Sequence, residues 1–130
     1  MEFICENPRS IDTEINDCTV RATTLASGLD YLKVHDSFKK AGRVARRGCT
    51  LRTIEGAFKE LKFTYEENKY YTNSTTKGCP TLARFCKEEG SKGNWVVIRR
   101  GHAFAVKDGV VYDGHKQGSR VRIITAFKLN

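Results

Sequence analysis

His102-Ala103-Phe104-Ala105-Val106-Lys107-Asp108-Gly109-Val110-Val111-Tyr112-Asp113 is the stretch that decides the fold. Asp108-Gly109 between two apolar runs is the strongest short-range signal for a β-hairpin. With those two residues at the centre of the turn, Lys107 pairs with Val110. The same register sets Phe104 opposite Asp113 and His102 opposite His115. Side chains alternate along a strand, so His102 and Asp113 point to one face as diagonal neighbours, about 7 Å apart or less at Cβ. The sequence thus predicts an imidazole–carboxylate pair on adjacent strands.

More strands flank the hairpin. Asn94 to Arg99 holds the apolar run Trp95-Val96-Val97-Ile98, and a last strand spans roughly Arg120 to Leu129. Upstream the periodicity changes to helical. Asn16-Asp17 are both N-cap types, and the helix they open runs through Cys18 to Gly28, with Cys18, Ala22, Leu25 and Ala26 on one face. Asp30 to Ala41 reads as a second helix with Tyr31, Val34 and Phe38 inward, and Gly42 suits its left-handed end. Thr50 to Leu61 reads as a third, capped by Thr50, with Leu51, Ile54, Ala57, Phe58 and Leu61 inward. A basic loop, Arg43 to Gly48, separates these two. Lys62 to Glu66 reads as a short strand and Asn68 to Lys77 as an exposed polar loop. Pro80 suits the first position of a short fourth helix, Thr81 to Glu89, ended by Gly90. Helices first and antiparallel strands afterwards make the fold class α+β.

The chain has 130 residues, enough for one domain spanning 1–130 and too few for two. The helical part covers about 16–61 and the sheet part about 94–129. No apolar run approaches the roughly 20 residues of a spanning helix, so no membrane partner is expected. The start, Met1 to Glu6, lacks a basic stretch followed by an apolar one, so no secretory leader is read there. Five cysteines, at 5, 18, 49, 79 and 86, are an odd number, which fits free thiols in a reducing, cytoplasmic compartment. No C-x-x-C or H-x-x-x-H pair occurs, so neither a metal nor a cofactor is expected.

The chemistry on offer needs a thiol, a base and a group that orients the base. A helix N-terminus lowers a cysteine's pKa through unpaired N–H groups and the positive dipole end, and Cys18 sits in a first turn. His102 supplies an imidazole that can form an ion pair with the thiolate. Asp113 supplies the carboxylate that fixes its tautomer. Each residue also has a plainer reading: a small buried cysteine, a structural histidine, a turn aspartate. The three in the order Cys, His, Asp make coincidence the weaker account. The other four cysteines read as inert thiols.

This order resembles the papain-like cysteine peptidases, and more closely the small bacterial group that includes bacteriocin leader-processing peptidases. Asn16-Asp17-Cys18-Thr19-Val20-Arg21-Ala22, Gly101-His102-Ala103-Phe104-Ala105-Val106-Lys107-Asp108-Gly109 and Val111-Tyr112-Asp113 are similar to a set of small uncharacterised bacteriophage proteins. The similarity runs from about Asn16 to Lys128. It implies N-terminal helices packed on a C-terminal twisted antiparallel sheet, with a cleft between them. It also implies Cys18 as nucleophile, His102 as general base and then acid, and Asp113 as orienting group. Papain-like enzymes usually carry a Gln about six residues before the cysteine as an oxyanion donor; Asp12 stands here, an acceptor when ionised. Asn16 or the backbone N–H of Cys18 is the substitute.

The leading expectation is a papain-like thiol hydrolase or acyl transferase acting on a protein or peptide through Cys18, His102 and Asp113. The alternative is a catalytically weak or inactive phage protein, in the host cytoplasm, that binds and modulates a host protein. Nucleic acid is the third partner class. A net charge of +8 and the cluster Lys39, Lys40, Arg43, Arg46, Arg47 and Arg52 favour it, but no recognition motif accompanies them.

Overall fold

A computed structural model of the chain describes residues 1–71 and 76–130. The element order is β1 (Glu2–Cys5), α1 (Cys18–Ser27), α2 (Tyr31–Lys40), α3 (Leu51–Glu60), β2 (Tyr65–Lys69), α4 (Leu82–Lys87), a 3-10 turn (Glu89–Ser91), β3 (Asn94–Arg99), β4 (His102–Lys107), β5 (Val110–Asp113) and β6 (Thr125–Leu129). The strands form one six-stranded sheet in the order β1-β5-β4-β3-β6-β2. The class is α+β.

The hairpin forms as its residues dictate. Lys107 pairs with Val110, Val106 with Val111 and Ala105 with Tyr112. Asp108 and Gly109 have φ of 48° and 80°, the left-handed pair that matches the turn to the strand twist.

Strands β3 and β4 are buried on both faces, which explains their unbroken apolar runs. One face carries Val96, Ile98, Ala103 and Ala105 against Val20, Ala22 and Ala26 of α1 and against α2 and α3. Small alanines on both sides let α1 lie close to β4. The other face carries Trp95, Val97, Phe104 and Val106 against Leu82, Phe85 and Cys86 of α4. Burying an aliphatic or aromatic side chain contributes about 1.5–3 kcal/mol, so these two layers dominate stability.

Several expectations need correction. The sheet is mixed rather than antiparallel, because β1 joins β5 in parallel, Glu2 against Val110 through Cys5 against Asp113. The strand expected at Lys62 to Glu66 is β2, starting at Tyr65; Lys62 itself has a φ of 58° and turns the chain out of α3. The exposed loop expected from Asn68 starts later, since Asn68 and Lys69 close β2; the rest of that reading falls partly on residues 72–75, outside the described residues. Pro80 precedes the fourth helix instead of opening it, and Thr81 caps α4 by accepting from the Arg84 N–H. The last strand starts at Thr125; ahead of it Arg122 makes only an isolated bridge to Thr81. All five cysteines are free thiols. Among the described residues no helix is long and apolar enough to cross a membrane.

Candidate active site

Cys18 is the first residue of α1, and His102 is the first of β4. Both line an apolar cleft of about 280 Å³ with Leu51, Ile54, Ile98 and Ile124. The helix start therefore meets the strand start at the mouth of this cleft.

The imidazole is held from behind. His102 Nε2 lies 2.6 Å from Asp113 Oδ2, the pairing that the hairpin register predicts. The Asp113 carboxylate is buried and accepts three more interactions. Gln117 Nε2 donates to Oδ2 at 2.8 Å, the Gly114 N–H donates to Oδ1 at 2.8 Å, and Arg21 Nη1 stands 3.6 Å from Oδ1. Burial alone would raise the Asp113 pKa; His102, the Gly114 N–H and Gln117 bring it below its ordinary value. Burial would likewise lower the His102 pKa, but hydrogen bonds to Asp113 and Cys18 lift it to about 9. With Nε2 taken by Asp113, Nδ1 is the nitrogen left for the thiol. Burial would push the Cys18 thiol up. The His102 hydrogen bond, the Ala103 N–H and the charges of His102 and Arg21 bring it below its usual value.

The residues before Cys18 behave differently from their expected role. Asp17 occupies the N-cap position, yet its side chain makes no capping bond, so the first N–H groups of α1 carry no side-chain cap. Its carboxylate instead accepts from Arg9 Nη2 at 2.6 Å, Arg21 Nε at 3.0 Å and Tyr31 OH at 2.7 Å. Burial opposes the charge, and the three donors together hold Asp17 well below the carboxylate range. Arg21 thus joins Asp17 to Asp113 and locks α1 onto the hairpin. Asn16 is exposed, has a φ of 54°, and donates its amide to the Arg46 carbonyl at 3.2 Å. Its carboxamide ties the approach to α1 to the basic loop. Asp12 is exposed.

Four further residues shape the site without a signal in the sequence pattern. Glu14 is buried and accepts from Arg43 Nη1 and Nη2 at 3.1 and 3.0 Å and from the Arg46 N–H at 2.7 Å. The Arg43 bonds, joined by one to His35, bring its pKa to about 2. This ion pair fixes the segment before Cys18 against the loop before Cys49. Cys49 lines the cleft, with Sγ 3.0 Å from Thr19 Oγ1, and burial pushes its thiol up. Gln117 is buried, and its Oε1 accepts from Arg99 Nε at 3.0 Å. Arg21 is the fourth. All make contacts distant in sequence or buried polar contacts, which periodicity does not report.

The ligand atoms of His102, Asp113 and His115 lie within 4.8 Å of one another, a spacing a metal ion can bridge. The donor set argues otherwise. Gln117 Nε2 donates to Asp113 and lies 3.2 Å from His115 Nε2, and Arg21 stands beside the carboxylate. A cation there would meet an N–H donor and a guanidinium. Of the other three cysteines, Cys79 and Cys86 are buried, and exposed Cys5 sits on β1 opposite Asp113 with its Sγ 3.4 Å from the Gly114 carbonyl.

Comparison with known proteins finds no matching family model, curated protein or solved structure.

Proposed function

We propose that the chain is a papain-like thiol hydrolase or acyl transferase, in its simplest form a cysteine peptidase. The supporting observation is that Cys18 and His102 line one apolar cleft, with His102 hydrogen-bonded to buried Asp113 and its imidazole lowering the Cys18 thiol. In this reading the Cys18 thiolate attacks an acyl carbon, and the carbonyl π pair moves to oxygen. The backbone N–H of Cys18, which no side chain caps, is the first candidate donor to that developing charge; Asn16 is the second, although its amide is already given to the Arg46 carbonyl. The C–N bond then breaks as the His102 imidazolium gives its proton to the leaving amine. Water, deprotonated by His102, attacks the thioester and releases the acid and the Cys18 thiol. Asp113 holds the ring through Nε2 and stabilises its charged form. Five free thiols suit a reducing cytoplasm as the setting.

The test is the pH dependence of iodoacetamide alkylation at Cys18, mapped by mass, in wild type and His102→Ala. An ordinary thiol titrates near 8.5. The expected midpoint lies below that in wild type and moves up in His102→Ala. Equal midpoints in both proteins sink the reading.

One observation favours a second reading. Asp12 is an exposed acceptor where the resembled family usually has a donor, and one lost oxyanion donor costs about 10²–10³ in rate. A phage-encoded binder of a host protein on the same fold needs no such donor. It expects Cys18→Ala to keep its biological effect, whereas the enzyme expects the effect to vanish.

A further inference from the structure

Next to the cleft lies a second pocket, of about 220 Å³, lined by Thr76, Arg99, Arg100, Val121 and Arg122. Arg99 lines both, so the two adjoin at that side chain. No Asp or Glu is among the described lining residues of either. Arg99 spends Nε on Gln117 and Nη1 on the Arg100 carbonyl at 3.4 Å, and Arg122 spends Nη1 on the Cys79 carbonyl at 2.7 Å. These acceptors are neutral, so the guanidinium charges stay uncompensated. Neither Arg99 nor Arg122 forms an ion pair among the described residues. The Arg100 guanidinium stands 5.7 Å from the Tyr71 ring centroid. Three like charges around one small pocket repel, and an anion between them relieves that repulsion and accepts planar, charge-assisted hydrogen bonds.

The geometry points to a two-part substrate: an acidic peptide that lays an apolar side chain in the cleft and an anionic group, carboxylate or phosphate, among Arg99, Arg100 and Arg122. This deepens the thiol reading and rests on it. A peptide is favoured over a polynucleotide because the arginines form one pocket beside an aliphatic cleft, where a nucleic-acid strand needs a charged track and stacking platforms.

Bromoacetyl-capped, C-terminally amidated tetrapeptides test this. They share one leucine and end in Glu, Gln, Lys or phosphoserine, and the rate of Cys18 alkylation is read by mass. The Glu peptide is expected to react about tenfold faster than the Gln peptide, and the Lys peptide slowest. The preference falls below about twofold in Arg100→Gln, in Arg122→Gln, and at high salt. Arg100 is exposed in the β3–β4 turn, so its variant answers even where Arg122→Gln misfolds. The rank of phosphoserine against Glu tells phosphate from carboxylate. Equal rates for Glu, Gln and Lys overturn the proposal. So does a short oligonucleotide that protects Cys18 while the peptides show no preference. Failure of the thiol reading shows separately, as an iodoacetamide rate unchanged by His102→Ala, since an ordinary thiol still reports the peptide ratios.

Discussion

Two cysteines line one cleft, and their surroundings push them in opposite directions. Cys18 meets an imidazole, a backbone N–H and Arg21, and its thiol falls below the usual value. Cys49 meets Thr19 and the apolar wall, and burial raises its thiol. Limiting iodoacetamide at pH 7 is therefore expected to label Cys18 first, with Cys49 following only as the pH rises; labelling of Cys49 first contradicts the geometry. Gln117 acts one step further back, as a positioning residue. It donates to the same Asp113 oxygen that His102 binds and is itself held by Arg99. Gln117→Ala leaves Asp113 short of a donor and Arg99 short of an acceptor. The expected cost is about 1–3 kcal/mol of stability in urea unfolding. The Cys18 midpoint should rise with it, a change that loss of packing alone does not produce, and Gln117→Glu should fail to restore it. At this scale the sequence was legible where strand alternation and the turn acted together: the His102–Asp113 pairing follows from the Asp108-Gly109 register and the alternation on either side of it. Asp17 was legible as an N-cap by position but not as a buried hub, because its partners Arg9, Arg21 and Tyr31 converge from three segments.

Elements were legible where one period ran long enough. Helices α1, α2 and α3 have an apolar stripe and recognisable ends, and β3 and β4 carry continuous apolar runs because both faces are covered. Strand β1 escaped detection because three of its four residues are exposed and its partner β5 lies more than a hundred positions away. Strand β2 reads Tyr65-Glu66-Glu67-Asn68-Lys69, a charged edge strand of low β propensity that β6 recruits by pairing. The loops are a harder case, since buried charge holds them together. Glu14 and Arg43 have side chains only 2% exposed. Removing either one leaves the other buried without its partner, at about 3–5 kcal/mol. Glu14→Leu and Arg43→Met are each expected to lower the urea midpoint strongly. The double variant should cost less than their sum, because no lone buried charge remains. Simple additivity in that cycle would show that the pair does not couple the two loops. Coupling should also be visible at the site, since the pair fixes the segments that present Cys18 and Cys49.

Across the whole molecule, the buried carboxylates set how stability depends on pH. Glu14 sits at about 2 against an ordinary 4.5, and Asp17 and Asp113 are also depressed. A depressed carboxylate contributes stability that is fully present above its unfolded pKa and lost as pH falls through the folded one. Glu14 places its share of this loss between about pH 4.5 and 2, and Asp17 and Asp113 add to it on the acid side. Net charge acts in the same direction: the chain already carries +8 near neutrality, and each protonated carboxylate adds to the self-repulsion. The alkaline side differs. His102, raised to about 9 from 6.5, contributes stability that is present below 6.5 and fades as pH rises through 9. Cys18, lowered from 9.0, contributes stability that grows as pH rises toward 9. The two titrations oppose each other within one window, so the profile there is flatter than either alone would give. Thermal unfolding is expected to show a Tm that changes little from about pH 6 to 8. Below about pH 4.5 it should fall by roughly ten degrees or more. Glu14→Gln should start from a lower Tm and descend less steeply in acid, because the titrating group is gone. A Tm that holds steady down to about pH 2.5 would mean that these carboxylates are not paired in the folded chain. The connection of Asp17 and Asp113 through Arg21, on which the site geometry depends, would fall with it.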